Sequence, residues 1–122
     1  MTTSRQQNIL EILNEIDFHD IPVNKISFQS NSQLELIISF LLYNKIKDEY
    51  EEYFLKFINI HILNSSSLIL SKESDFEINT FDYHFDGLFN CKLLFLLGFG
   101  EPSFEIELKC EFILLEKTKC IN

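Results

Sequence analysis

The residue types that could carry chemistry are concentrated in one short segment, Asp82-Tyr83-His84-Phe85-Asp86. On a β-strand, Asp82, His84 and Asp86 would share one face, with successive members about 6.5–7 Å apart. A histidine between two carboxylates can hold a divalent cation or act as an acid–base pair. The same spacing also arises in a half-exposed strand whose aromatic residues face inward. Alternation alone accounts for the segment, so a metal site at these three residues is the second of two interpretations.

Two further motifs lack the context that their chemistry requires. The dipeptide His19-Asp20 occurs in metal-dependent phosphohydrolases, whose sites need additional His and Asp ligands on neighbouring helices. Gly98-Phe99-Gly100 is followed by Pro102 and a predicted strand, whereas a phosphate-binding loop must lead into a helix. No serine or cysteine stands in a recognisable nucleophile motif. The sequence therefore predicts no enzyme and no cofactor.

The acidic run Lys47-Asp48-Glu49-Tyr50-Glu51-Glu52 is the densest group of charges in the chain. We predict that it lies in a loop from Asn44 to Glu52, with a helix over Ile46–Tyr53 as an alternative. Such a run is typical of a solvated surface, and it can also dock a basic partner. The candidate partner-binding residues are Asp48, Glu49, Tyr50, Glu51, Glu52, Tyr53, Glu105, Glu107 and Glu111.

The elements that must position these residues follow from hydrophobic periodicity. An apolar stripe with helical spacing predicts one helix over Thr3–Asp17, and Pro22 prevents its continuation. After Pro22 the period changes to two, so Val23–Ser30 and Leu34–Leu42 predict a hairpin. Tyr53–Leu63 is apolar on both faces and predicts a central strand. A short strand is expected at 68–70, and a parity change in Asp75–Asp86 predicts a β-bulge near Asn79 or Thr80.

The last third predicts a second hairpin, Phe89–Leu97 with Phe104–Leu115. If it centres between Gly100 and Glu101, Cys91 lies opposite Cys110, with Cβ atoms about 4.5–5.5 Å apart. A register displaced by two residues would keep the same faces. The two thiols are then small buried hydrophobes or a redox-sensitive pair.

Composition sets the fold class and excludes several functions. The chain has 122 residues, 46% of them hydrophobic, and a formal net charge of −9. These values predict one domain, 1–122, with an α+β fold: an N-terminal helix, then about seven mostly antiparallel strands in a meander sheet or partly open barrel. The acidic balance argues against nucleic acid. Short apolar runs argue against a membrane span, and three cysteines without a CxxC motif suit a reducing cytoplasm.

The segment Phe18-His19-Asp20-Ile21-Pro22-Val23 resembles the HD-x-x-V opening of certain small bacterial domains. The resemblance extends to Leu55-Lys56-Phe57 and to the closing strand Phe104–Cys110. Some of those domains are classed as immunity proteins of polymorphic toxin systems. The resemblance implies a compact β-rich protein that acts by binding, and it transfers no catalytic residue.

The leading hypothesis is an interaction protein, such as an immunity protein that binds and neutralises a basic toxin. Small size, acidic charge and the lack of a coherent catalytic set motivate it. One alternative is a barrel that binds a small apolar ligand among its many Phe and Leu residues. Another is a domain with a weak metal site at Asp82, His84 and Asp86. We expect a monomer or a weak dimer.

Overall fold

Residues 4–30, 32–66, 76–97 and 103–118 are described by the structure, a computed structural model. In this part of the chain one helix precedes six strands. They are α1 (Ser4–Asn14), β1 (Ile21–Ser30), β2 (Leu34–Asn44), β3 (Glu49–Ser65), β4 (Phe76–Phe85), β5 (Phe89–Leu97) and β6 (Ser103–Lys117). A mostly antiparallel sheet with an N-terminal helix is therefore confirmed, with six strands where about seven were predicted. The strand expected at 68–70 lies outside the described residues.

The six strands form a closed ring in the order β1-β2-β3-β6-β5-β4. Two antiparallel meanders, β1-β2-β3 and β4-β5-β6, are joined along β3–β6 and again along β1–β4. The ring is not a regular barrel. Within the described ranges, its β1–β4 seam runs over three residue pairs, from Ile21↔Ile78 to Val23↔Phe76, whereas β3 pairs with β6 over eleven. The sequence predicted a meander sheet or a partly open barrel, and the strands combine features of both, as two meanders that close on each other in a ring.

Aromatic side chains fill the interior of the ring. Phe40, Phe57, Phe89 and Phe95 are fully buried. Phe18, which precedes β1, meets Phe40 edge to face with ring centroids 5.7 Å apart. Edge-to-face and offset pairs of this kind stabilise a core by about 0.5–1.5 kcal/mol beyond the burial of their area. The packed interior follows from the period-two pattern, which directs one face of every strand inward.

Both predicted hairpins are present, and the second has a register different from the one predicted. Phe95 lies opposite Phe104, and Leu93 lies opposite Ile106. Cys91 and Cys110 are therefore diagonal neighbours, not direct partners. A displacement by two residues leaves every inward side chain inward, so hydrophobicity cannot distinguish the two registers. Both thiols are free and buried, and a hydrogen bond with Cys110 together with burial raises the pKa of Cys91.

The last strand changes face near its middle. Cys110 and Ile113 both point into the core, so the two residues between them lie outward. Continued alternation along Phe104–Leu115 would place Phe112 inward, but this side chain is 46% exposed. Its partner across the ladder is Ile58 of β3, where the same change occurs between the buried residues Phe57 and Ile60.

The acidic segment does not form the predicted loop or helix. β2 continues to Asn44, a turn covers 45–48, and β3 begins at Glu49. The side-chain oxygen of Asn44 accepts hydrogen bonds from the backbone N–H groups of Ile46 and Lys47. Asp48 takes a positive φ of 52°. Asn and Asp favour such turns because their side chains hydrogen-bond the local backbone and tolerate left-handed geometry.

The N-terminal helix is shorter than the pattern predicts and ends at Asn14. Ile9 and Leu13 join the same core cluster as the strands, whereas Ile12, at the margin of this apolar face, is 45% exposed. The hydroxyl of Tyr83 in β4 donates a 2.7 Å hydrogen bond to the side chain of Asn14. Among the described residues, no helix is long and apolar enough to cross a bilayer.

Candidate functional site

Two of the predicted metal residues, Asp82 and His84, lie on β4, and Asp86 directly follows it, but the three do not form a cluster of ligands. His84 Nε2 lies 3.9 Å from Asp86 Oδ2. Asp86 instead accepts a 2.8 Å hydrogen bond from Asn90, and this bond is the main reason that the pKa of Asp86 is lowered. Asp82 is exposed on the same strand. Across the four described ranges, no three His, Cys, Asp or Glu residues are placed to hold a metal ion.

The other two histidines have hydrogen-bonding roles. His19 Nδ1 lies 3.0 Å from the carbonyl oxygen of Asn79, and Nε2 lies 3.2 Å from Asp20 Oδ2. The pKa of His19 is raised, mainly by the hydrogen bond with the Asn79 carbonyl and next by the negative charge of Asp20. The apolar neighbours of His61 in Tyr53–Leu63 predict a place in or near the core, but His61 is 46% exposed and its Nε2 lies 2.8 Å from Glu111. Each histidine thus contacts a residue that is at least 50 positions away in the sequence.

Two of the predicted partner-binding carboxylates, Glu51 and Glu52, already form ion pairs or hydrogen bonds with other residues of the chain. Glu51 is only 11% exposed and lies 2.5 Å from the ammonium of Lys117, which is the main cause of its lowered pKa. Glu52 accepts hydrogen bonds from Ser39 and Asn24. These contacts leave Glu51 and Glu52 little capacity to bind a partner.

Of the other predicted contact residues, Tyr53 is half-buried and stacks on Phe40 with centroids 5.9 Å apart. Glu105 pairs with Lys92 at 3.8 Å. Glu107 remains exposed.

Glu111 is held by two neighbours on β3. The side-chain amide of Asn59 donates a hydrogen bond to the same carboxylate oxygen that His61 contacts. Asn59 has a φ of 56° in the middle of the strand, in the left-handed region that Asn tolerates better than most residues. Asn59, His61 and Glu111 lie where β3 and β6 change the face that they turn to the core, and their hydrogen bonds connect the two strands there. We therefore assign them a structural role.

An apolar cluster projects from the turn between β2 and β3. Tyr43, Ile46 and Tyr50 are 47%, 97% and 62% exposed, and we call them the hairpin tip. The two tyrosines are cross-strand partners whose rings meet edge to face, with centroids 5.3 Å apart. Tyr43 donates a hydrogen bond to Asp48, which raises the pKa of Tyr43. Of these, only Tyr50 and Asp48 were predicted, because the sequence pattern did not reveal the turn that presents Ile46.

An open groove of about 460 Å³ crosses the outer surface of β4, β5, β6 and β3. Two cross-strand rows line it. The first row is Asp82, Lys92, Glu107 and Asn64, and the second is His84, Asn90, Lys109 and Ile62. Both flanking strands carry irregularities beside the groove. The irregularity in β4 falls between Ile78 and Thr80, as predicted, and that in β3 falls between Ile60 and Ile62.

No family model matches the chain, and no curated protein or solved structure shows significant similarity to it.

Proposed function

We propose that this protein is an interaction domain that binds a partner protein through the hairpin tip. The observation that carries the proposal is the exposure of Tyr43, Ile46 and Tyr50 together at one turn. Clustered apolar side chains at a surface mark interaction sites, and tyrosines are frequent anchors of protein interfaces. The rigid edge-to-face pair of tyrosines orders two of the three side chains before binding, which reduces the entropy cost of association.

The charge of the chain favours a basic partner. The net charge is −9, and Glu49 beside the tip is exposed. A field of one sign accelerates encounter with a partner of opposite charge. Glu51 and Glu52 do not provide the contact surface. Their contacts with Lys117, Ser39 and Asn24 stabilise the beginning of strand β3.

Packing of the interior favours binding at the outer surface over an apolar ligand in the core. An eight-stranded barrel is just wide enough for side chains to fill it, and this ring has six strands. Its inward positions hold fully buried Phe and Leu side chains, among them Phe57, Phe95 and Leu93. A small acidic binder of this kind suits the role of an immunity protein, and a basic toxin is the partner class that we propose.

A comparative capture experiment tests the interaction. The tagged wild-type protein, a double variant Ile46→Ser/Tyr50→Ser and a control Phe28→Ser are each incubated with lysate of the source organism. Phe28 is 52% exposed and lies near the end of β2 that is remote from the tip, so its loss removes exposed apolar area away from the tip. We expect one stoichiometric basic partner with the wild type and with Phe28→Ser, released by salt, and its loss with the double variant. Equal capture by all three proteins would contradict the tip as the contact.

Immunity itself requires a second measurement. The captured partner is expressed alone in a heterologous host and then together with the wild type or the double variant. We expect arrested growth with the partner alone, recovery with the wild type and no recovery with the double variant. A partner that is harmless when expressed alone would contradict the immunity role, whereas the proposal of an interaction domain would still stand.

A further inference from the structure

Among the described residues, three charged side chains of the groove on the outer surface of β3–β6–β5–β4 make no ion pair within 4.0 Å, namely Asp82, Glu107 and Lys109. A fourth charged side chain, Lys92, forms an ion pair with Glu105, with 3.8 Å between Nζ and Oε1. Within the described ranges, no Lys, Arg or His nitrogen lies within 4.0 Å of a carboxylate oxygen of Asp82 or Glu107, and Lys109 has no carboxylate oxygen within that distance. The first row thus offers the carboxylates of Asp82 and Glu107 on either side of Lys92. The second row offers the ammonium group of Lys109, whose charge also acts on the nearby carboxylate of Asp86.

Strand geometry sets the spacing of these charges. Glu107 and Lys109 are two residues apart on one face of β6, so their Cβ atoms lie about 6.5–7 Å apart. They do not form an ion pair with each other at 4.0 Å or less in this structure. A ligand that carries an ammonium and a carboxylate on one carbon atom can bridge the two, because each contact adds one hydrogen-bond length of about 2.8 Å.

A third point of contact is apolar. Ile62 of β3 lies opposite Lys109 in the second row and is 53% exposed. The shift in pairing between Ile60 and Ile62 immediately precedes it, and bulges of this kind re-aim side chains beside binding sites. Glu107, Lys109 and Ile62 therefore form a triangle of negative, positive and apolar groups.

We propose that this groove binds a free α-amino acid with an apolar side chain. Glu107 accepts the ligand's ammonium group, Lys109 donates to its carboxylate, and Ile62 contacts its side chain. The volume of about 460 Å³ falls within the range of small-molecule sites, roughly 300–1,000 Å³. The site is remote from the hairpin tip along β3, so it is independent of the proposed protein interaction.

Titration followed by ¹H–¹⁵N NMR tests the proposal, with L-leucine as the probe. We expect leucine to shift the amides of Ile62, Glu107 and Lys109. 3-Methylbutylamine lacks the carboxylate and 4-methylpentanoate lacks the ammonium, so each should bind about tenfold more weakly or worse. Equal binding of either truncated compound, or no groove shifts with leucine near its solubility limit, would overturn the proposal.

Variants separate the site from a general surface effect. Glu107→Gln and Lys109→Met should each weaken leucine binding by about tenfold, the equivalent of one charged hydrogen bond. Lys56→Met is the control, because Lys56 also lies on the β3–β6 pair but is bound to Glu116 at 3.3 Å outside the groove. Leucine affinity that is unchanged in Lys109→Met, or reduced equally in Lys56→Met, would contradict the assignment.

Discussion

Glu52 shows how one side chain can join several strands of this ring. Its carboxylate in β3 accepts a 2.7 Å hydrogen bond from Ser39 of β2 and a 2.9 Å bond from Asn24 of β1. Its carbonyl oxygen accepts a backbone hydrogen bond from Thr118, just beyond β6. Asn24 sits where the β1–β2 register shifts, between Val23 and Lys25, so Glu52 stabilises that irregularity. Ser39 is the one buried polar side chain among the described residues, and Glu52 satisfies it.

The contacts of Glu52 predict a specific pH dependence of stability. The hydrogen bonds from Ser39 and Asn24 lower its pKa below the ordinary value of 4.5. A carboxylate with a lowered folded-state pKa stabilises the fold above its unfolded pKa, and the contribution is lost as the pH falls through the folded value. Glu52→Gln should therefore reduce the free energy of unfolding at pH 7 by on the order of 1 kcal/mol, with the difference shrinking below about pH 4.5.

Thermal unfolding of wild type and Glu52→Gln from pH 7 to pH 3 measures this difference. Glu49→Gln on the same strand is the control, because Glu49 is exposed. A difference between wild type and Glu52→Gln that is constant across the pH range would show that the charge of Glu52 contributes nothing.

At the scale of elements, the helix depends on the sheet more than on its own sequence. α1 has eleven residues, and isolated helices of that length are marginal in water. Leu13 is fully buried in the common core, whereas Ile12 beside it is 45% exposed. Burial of one face therefore holds the helix in place, and the hydrogen bond from Tyr83 to Asn14 adds a polar contact near its end.

Neighbouring substitutions in the helix should separate burial from helix propensity. Leu13→Ala creates a cavity in the core and should lower the free energy of unfolding by about 2–5 kcal/mol. Ile12→Ala removes an exposed side chain and improves helix propensity, so we expect a change within about 0.5 kcal/mol. Urea denaturation measures both. A similar loss in the two variants would mean that the helix does not depend on its buried face.

At the scale of the whole molecule, the ring has one weak seam. Within the described ranges, β1 and β4 pair over only three residue pairs, and Pro22 in the middle of the seam has no N–H to donate. The β3–β6 pairing is much longer. Local opening is easiest where few hydrogen bonds and contacts must be broken.

Native-state hydrogen exchange should therefore detect opening at the seam before global unfolding. We expect the amides of Ile21 and Ile78 to exchange faster than those of Leu55 and Ile113, which lie on β3 and β6. Fast exchange at the seam should persist at denaturant concentrations too low to unfold the protein. Equal protection at both places would show that the ring opens only as a unit.

The sequence by itself determined the features that depend on neighbours along the chain. Alternation predicted both hairpins and the irregularity near Asn79, and helical spacing predicted α1, because each signal repeats within one element. The turn at 45–48 lies within the loop predicted from Asn44 to Glu52, but that loop was predicted too long, because the exposed charged residues at the start of β3 resemble loop residues in sequence. The candidate site was accordingly predicted only in part, with Tyr50 correctly placed at the surface and Ile46 overlooked.

Tertiary structure alone decided which side chains are available for binding. Glu52 meets Ser39 and Asn24, and Glu111 meets His61, 50 residues away, so carboxylates that look alike in sequence have different roles. Closure of the ring and the order β3–β6 depend on pairing between strands that are distant along the chain. Local periodicity carries no information about such pairing, because a strand presents the same alternating faces to any neighbour, and a shift by two residues preserves them.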